Sequence, residues 1–220
     1  MVDKSALPFL LRFISPLSVA LLACILALAF STPAAGQIFK VKRIKASDTS
    51  AEKLTREQCL ERARSTRINK ELKGAKLNDA DLSNVVLLSA DMREANLKKT
   101  ILTKAIMCRA DLSVADMEGA VLNEADLSGA TLVNAKLKSA TLVRAKMCNT
   151  TLMGADLTGA ILTEADLTGA NLTGVILTKA ILTGTDLTGA NLQGAVLSQT
   201  NQLDKAVLSN TILPDGTAHP

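Results

Sequence analysis

The chain has 220 residues and is 48% apolar, yet only 2% aromatic, with no Trp and no Tyr. A core of any size must therefore be assembled from small aliphatic side chains. The formal charge of +4 is mild and uneven: Gln37 to Asn69 carries nine Lys/Arg against four Asp/Glu, whereas Lys70 to Thr200 carries thirteen against fourteen, so the basic character belongs to the front of the chain and not to the bulk of it.

Residues 1–36 read as a separate object. Lys4 and Arg12 precede an apolar run from Phe13 to Phe30, and small residues suited to signal peptidase follow in STPAAGQ. This is the pattern of a secretory signal peptide, which predicts export to a periplasm or thylakoid lumen. The alternative is a single-pass membrane anchor through residues 13–30, long enough to cross a bilayer. Lys40, Lys42, Arg43 and Lys45 would then hold the repeat on the cytoplasmic side. LLAC (Leu21 to Cys24) resembles a lipoprotein box only weakly. Residues 37–50 are a basic linker, which would lie against anionic head groups if the anchor is retained and would be a solvated tail if it is cleaved. Residues 51–68 are predicted to form a short helix: Thr49 and Glu52 have capping-box spacing, and Leu54, Leu60 and Ala63 give it one apolar side. Its position suggests a cap for the open end of a repeat.

From Leu72 to Leu197 a Leu recurs every fifth residue, replaced only by Met92, Met107, Met117 and Met147; two places earlier, from Ala75 to Ala195, stands Ala, except at Val85, Thr100, Thr150, Val175 and Thr185. In an α-helix five residues advance about 500°, and in a flat strand an odd period sends alternate side chains to opposite faces. The leucines can all point inward only if the chain turns the same way once per repeat. Four corners of about 90° make a lap of 20 residues; three corners make a lap of 15. Charge decides between them, because residues stacked in neighbouring laps favour opposite charge. Between Lys76 and Gln199, separation 20 gives ten opposite-charge pairs and two like pairs, whereas separations 15 and 25 give four opposite pairs each. The expected columns include Lys104–Glu124–Arg144–Glu164, Lys98–Glu118–Lys138, Asp116–Lys136–Asp156 and Asp126–Lys146–Asp166. The rhythm slips by one residue near Gln202, resumes at Leu203, Leu208 and Leu213, and stops at Pro214-Asp215-Gly216, a turn signal. Residues 214–220 are read as a tail.

The quintets ADLTG, ANLTG, ADLSG and ANLQG resemble the A(D/N)LXX motif of the pentapeptide-repeat proteins. The resemblance covers about residues 70–213. It implies an all-β solenoid, a right-handed quadrilateral β-helix of about seven 20-residue coils. Its implication for function is weaker: some members resist gyrase-directed antibiotics by mimicking DNA, and many others, including exported and thylakoid-lumen forms, have no assigned activity.

Candidate chemistry is sparse. The lone histidine, His219, falls in a tail where order is not expected, and outward carboxylates on a convex coil form no cleft. No catalytic, cofactor or metal residue and no small-molecule substrate is predicted. Cys108 and Cys148 should share a column with Ser128 between them, about 9.6 Å apart, too far for a disulfide; the partner of Cys59 cannot be read. A DNA mimic would need an acidic stripe, for which Asp91 with Asp111 and Asp166 with Asp186 are the nearest candidates. Nucleic-acid binding is disfavoured, since all four Phe lie before residue 40 and leave nothing for bases to stack on. The candidate protein-contact strip is the outward column Ile101, Val121, Thr141, Ile161, Ile181, with Ile176 and Val196 on the adjacent side and Val143 nearby. β-branched residues also suit strands for their own sake. Either self-association or an unknown protein partner would use such a strip.

Overall fold

The structure is a computed structural model and describes residues 71–198 and 202–220. The expected leader (1–36), basic linker (37–50) and capping helix (51–68), with Cys59, lie outside the described residues. What remains is the repeat, and it coils as a stack of 20-residue laps. Parallel bridges join Glu71 to Asp91, Lys76 to Asn96, Asp81 to Ile101 and Val86 to Ile106, and the same spacing continues up each of the four sides.

The corner is built where each quintet meets the next. In the first, the N–H of Ala75 donates to the carbonyl of Leu72 at 3.0 Å, closing a β-turn whose third residue, Gly74, has φ +62°. A left-handed third residue is the requirement of a type II turn. The same place is taken by residues such as Asn84, Lys104 and Glu124, all with φ between 57° and 58°. Side chains before and after the corner therefore point alternately in and out while the chain bends once per quintet.

Laps are joined through the backbone. Leu72 donates to the carbonyl of Asp91 (2.7 Å) and Gly74 to that of Arg93 (2.8 Å), while Asn96 donates to Ala75 (2.9 Å). One N–H per quintet, that of the residue after Leu, has no rung. The Asp or Asn before Leu takes it: Asp126 Oδ1 accepts from the N–H of Ser128 at 3.0 Å, Asp166 Oδ1 from Thr168 at 2.9 Å, and Asn191 Oδ1 from Gln193 at 2.9 Å. This Asx turn is the physical content of the D/N in the repeat, a role that the sequence reading did not assign.

Leu and Met at the centre and Ala two places before line a dry interior. The centres from Leu72 to Leu172 are at most 2% exposed, the four Met among them. Ala fits because the inside of a narrow coil leaves no room for a larger side chain beside Leu. Where Thr replaces Ala it is equally buried, and its hydroxyl donates to a backbone carbonyl: Thr100 to Leu77 and Thr185 to Leu162, both at 2.8 Å, and Thr150 to Met147 at 2.7 Å.

The slip near Gln202 is spliced by a side chain. In a regular lap the carbonyl of the inward Ala accepts from a backbone N–H of the next lap, as Ala160 accepts from Ile181. At Ala180 the donor is Gln202 Nε2 (2.9 Å), which also reaches Leu177 O at 2.6 Å, and its Oε1 accepts from the N–H and hydroxyl of Ser198. Beyond it the bridges run at 21 residues, Asp186 to Val207 and Asn191 to Ile212.

The chain ends in a small hairpin and not in the expected tail. Strand β1 (Thr211–Ile212) pairs antiparallel with β2 (Ala218–His219). The N–H of Leu213 donates to Thr217 O and Asp215 Oδ1 accepts from both the N–H and the hydroxyl of Thr217, so the Pro-Asp-Gly signal makes a reversal that carries the last residues back. His219 lies opposite Thr211.

Candidate interaction face

Each side of the coil displays three outward columns: the residue before Leu, the residue after it, and the left-handed corner residue. On the third side the first column is Asp81, Ile101, Val121, Thr141, Ile161 and Ile181, each bridged to the next. Four of the six predicted contact residues, Ile101, Val121, Ile161 and Ile181, thus stand in one column. Ile101 is 41% and Ile181 47% exposed; Val121 and Ile161 are half-buried between their neighbours. Ile176 and Val196 are bridged to each other on the second side, above Asp156, and form a separate short column. Val143 stands in the middle column of the third side, half-buried, and donates its N–H to Asn123 Oδ1 at 3.1 Å.

Thr141 breaks the column chemically less than its name suggests. Its backbone N–H donates to Ala120 O and its carbonyl accepts from Leu122. Its Oγ1 is covered and has no hydrogen-bond partner. The outward surface of Thr141 is therefore carbon, and the column runs apolar from Ile101 to Ile181.

The corner column of the same side carries Lys104, Glu124, Arg144 and Glu164. Lys104 Nζ lies 3.5 Å from Glu124 and Arg144 Nε 2.7 Å from Glu164, with all four side chains at least half exposed. Two of the three expected rungs of this ladder close; among the described residues no ion pair of 4 Å or less joins Glu124 to Arg144. On the second side Lys98 pairs with Glu118 (2.9 Å) and also with Asp116 (3.4 Å), and Lys138 turns to Asp156 (3.2 Å). The bridges align Asp116–Lys136–Asp156 and Asp126–Lys146–Asp166 as expected, but among the described residues no ion pair of 4 Å or less joins these lysines to them. Asp126 and Asp156 accept through Oδ1 from the N–H of Ser128 and Thr158, and the second oxygen of Asp156 goes to Lys138 as that of Asp116 goes to Lys98.

The acidic candidates differ from each other. Asp91 and Asp111 are bridged neighbours, but Arg93 spans them, 2.6 Å from Asp91 and 3.7 Å from Asp111. The Arg93 hydrogen bond holds the Asp91 carboxyl below its ordinary range. Asp166 and Asp186 are also bridged without an Arg between them. Cys108 and Cys148 are not joined by a disulfide, and Cys148 Sγ donates to Ser128 Oγ at 3.3 Å. His219 Nδ1 lies 3.0 Å from Pro220 O. Among the described residues no cluster of His, Cys, Asp and Glu could hold a metal ion, and no helix is long and apolar enough to cross a membrane; residues 13–30 lie outside that search.

One apolar patch escaped the sequence reading. On the first side the corner residue Val114 (50% exposed) donates to the carbonyl of Val133, and Asn134 to that of Met153 (41% exposed), which puts Val133 and Met153 in successive laps of the column after Leu and Val114 in the corner column beside them. Tabulating the columns after Leu and at the corner, and not only those before Leu, would have found them.

The family profile described as pentapeptide repeats matches in eight copies over residues 71–113, 115–152, 130–169, 150–189 and 165–201. No curated protein matches. Among solved structures, a trypsin-treated form of QnrB1, a plasmid-mediated fluoroquinolone resistance protein, is 24% identical, with a TM-score of 0.53 over 61% of this chain; the chain spans 65% of that structure. HetL of Nostoc sp. strain PCC 7120, a pentapeptide repeat protein involved in heterocyst differentiation regulation, is 26% identical over 76% of this chain and all of its own (TM-score 0.24). A pentapeptide repeat protein of the Arabidopsis thaliana thylakoid lumen is 27% identical over 56% of this chain and 83% of its own (TM-score 0.31). Likeness at these levels speaks for a shared fold, a right-handed quadrilateral β-helix, and for nothing narrower.

Proposed function

Since the chain belongs to the pentapeptide-repeat family, whose coil is a stiff rod of repeated sides, we propose that it is a non-enzymatic scaffold or binding protein that offers its third side to a protein partner. One observation carries the reading. Asp or Asn before Leu ties down its own turn, and the first, second and fourth sides each keep such residues in successive laps. The third side gives them up at Ile101, Val121, Thr141, Ile161 and Ile181. β-propensity favours β-branched residues on all four sides alike, and each of the others has a bridged pair (Thr131–Thr151, Ile176–Val196, Val86–Ile106), so propensity does not account for an unbroken run of five on the third. Contiguous exposed carbon rimmed by charge is the composition of a contact surface.

Export or membrane attachment through residues 1–36 belongs to the same proposal and rests on the sequence of that segment. Mass spectrometry of the N-terminus tests it: a start near residues 35–37 means export, and an intact Met1 means an anchor. For the contact side, Ile161→Lys with Ile181→Lys places two charges in the strip without touching the interior. Association with the partner should be lost while the circular dichroism spectrum is kept; unchanged association would refute the reading. The rival reading, a DNA-mimicking topoisomerase inhibitor, has less behind it, because Arg93 neutralises the Asp91–Asp111 pair. Inhibition of supercoiling by micromolar protein would reverse that ranking.

A further inference from the structure

The third side has a symmetry that identifies one occupant. We propose that its partner is a second copy of this chain, docked face to face and antiparallel about a two-fold axis that lies in the contact plane and crosses the coil at right angles, between the laps of Val121 and Thr141. The proposal rests on the reading of the third side as a contact face.

Docking of this kind sets each column against its own reverse, so that residue i of one copy meets residue j of the other and j meets i. The corner column, +, −, +, − from Lys104 to Glu164, then meets its own reverse: Lys104 faces Glu164 of the other copy, and Glu124 faces Arg144. Every facing pair is opposite in charge. A slip of one lap in either direction destroys this, setting Arg144 against Arg144 and Glu124 against Glu164, or Lys104 against Arg144 and Glu124 against Glu124. A slip of two laps restores opposite charge but pairs only two of the four charged residues in each copy, so the ladder favours the register in which all four are paired. In that register Ile101 meets Ile161 and Val121 meets the carbon surface of Thr141, while Asn84 meets Gly184 at the rim. Asp81, opposite Ile181, is already engaged with the N–H and hydroxyl of Ser83. A face of six rungs about 4.8 Å apart is small for a protein interface, so association at micromolar concentration is expected.

Intrachain pairing alone would also explain an alternating column, and the experiment separates the two. Full-length chains carrying Lys104→Glu or Glu164→Lys are prepared with different tags. Each variant alone puts like charges at both ends of the dimer: carboxylate against carboxylate in Lys104→Glu, ammonium against ammonium in Glu164→Lys. Mixed, they set opposite charges against each other at both ends of the heterodimer, while each chain's own clash, with Glu124 in Lys104→Glu and with Arg144 in Glu164→Lys, is the same whether that chain is in a monomer, a homodimer or the heterodimer. The leader is common to all variants and cancels in the ratio. The expected result is a wild-type chain that dimerises, two variants that each dimerise several-fold more weakly, and a mixture in which heterodimer exceeds the statistical share by about tenfold, falling towards the statistical share in about 0.5 M salt. A wild-type chain that stays monomeric to about 100 micromolar, a concentration well above the expected affinity, overturns the proposal. So does a mixture with no preference for the heterodimer. If either happens while Ile161→Lys with Ile181→Lys still abolishes binding to another protein, the third side remains a contact face and only the identity of its occupant is refuted.

Discussion

One substitution, Thr→Val, should act with opposite sign at two places in this coil. At Thr141 the hydroxyl is covered and has no partner. Leaving a buried hydroxyl unsatisfied costs about 1–3 kcal/mol, and Val puts a methyl group where that oxygen sits, so Thr141→Val should stabilise by about 1 kcal/mol. At Thr100 the hydroxyl is equally hidden but donates to Leu77 O at 2.8 Å. Thr100→Val loses that bond, while Leu77 O still accepts from Ala80 at 3.2 Å. No orphan is left, and the loss is the net value of one hydrogen bond, about 0.5–1.5 kcal/mol. The two variants should differ by about 2 kcal/mol. With no Trp or Tyr in the chain, circular dichroism is the signal to follow in urea. Each titration is run at two protein concentrations, so that any contribution from association shows as a concentration dependence. Shifts of the same sign at both sites would refute the claim that partnering of the hydroxyl, and not burial, sets the cost.

Val114 occupies a corner at φ +61°, a conformation that a β-branched residue reaches only under strain; Val114→Asn should stabilise by about 1 kcal/mol, and a neutral or negative shift in the same titration would count against strain there. Gln202→Ala removes the amide that splices the slipped lap to Leu177 and Ala180. The expected loss is about 1–3 kcal/mol, concentrated near the C-terminal end, with faster hydrogen exchange at Ser198 while Leu122 is unaffected; uniform acceleration along the coil would contradict a local splice. Asp91 titrates below the ordinary carboxylate range because of its Arg93 hydrogen bond. Its folded pKa is thus below its unfolded one, so its contribution is present above the unfolded value, about 4, and is lost as pH falls through the folded value. In Arg93→Ala the Asp91 carboxyl carbon should titrate closer to the ordinary value; an unmoved midpoint would assign the shift elsewhere.

One corner per quintet was legible in the buried leucines, and the lap of 20 residues in the charges of Lys104, Glu124, Arg144 and Glu164, because stacking sets those residues one above another. Turn chemistry was less legible. Nothing in the spacing alone says that the Asp of ADLSG belongs to its own Ser and not to a Lys one lap above, since both partners are available and only distance decides. The two columns built on Lys136 and Lys146 align as expected, but alignment alone does not say which neighbour each lysine reaches. The hairpin at Ala218–His219 was missed because two residues per strand are too few to show any alternation, although Pro214-Asp215-Gly216 marked the reversal. The strip on the third side was readable from Ile101 to Ile181, but the hidden hydroxyl of Thr141, which makes that strip continuous carbon, emerges only when its neighbours are in place.

The corner is closed within four consecutive residues, from Leu to the next Ala, and successive laps are joined through main-chain groups. Removing or inserting a block of twenty residues should therefore leave two cut ends that fit one another as well as the originals did. Gln202 shows what a cut of the wrong length demands, namely a side chain able to stand in for a missing amide. Length in such a rod is a quantity that duplication or deletion in the gene can adjust in whole steps. The third side, which depends on which residues face one another across many laps, is what each such step would put at stake.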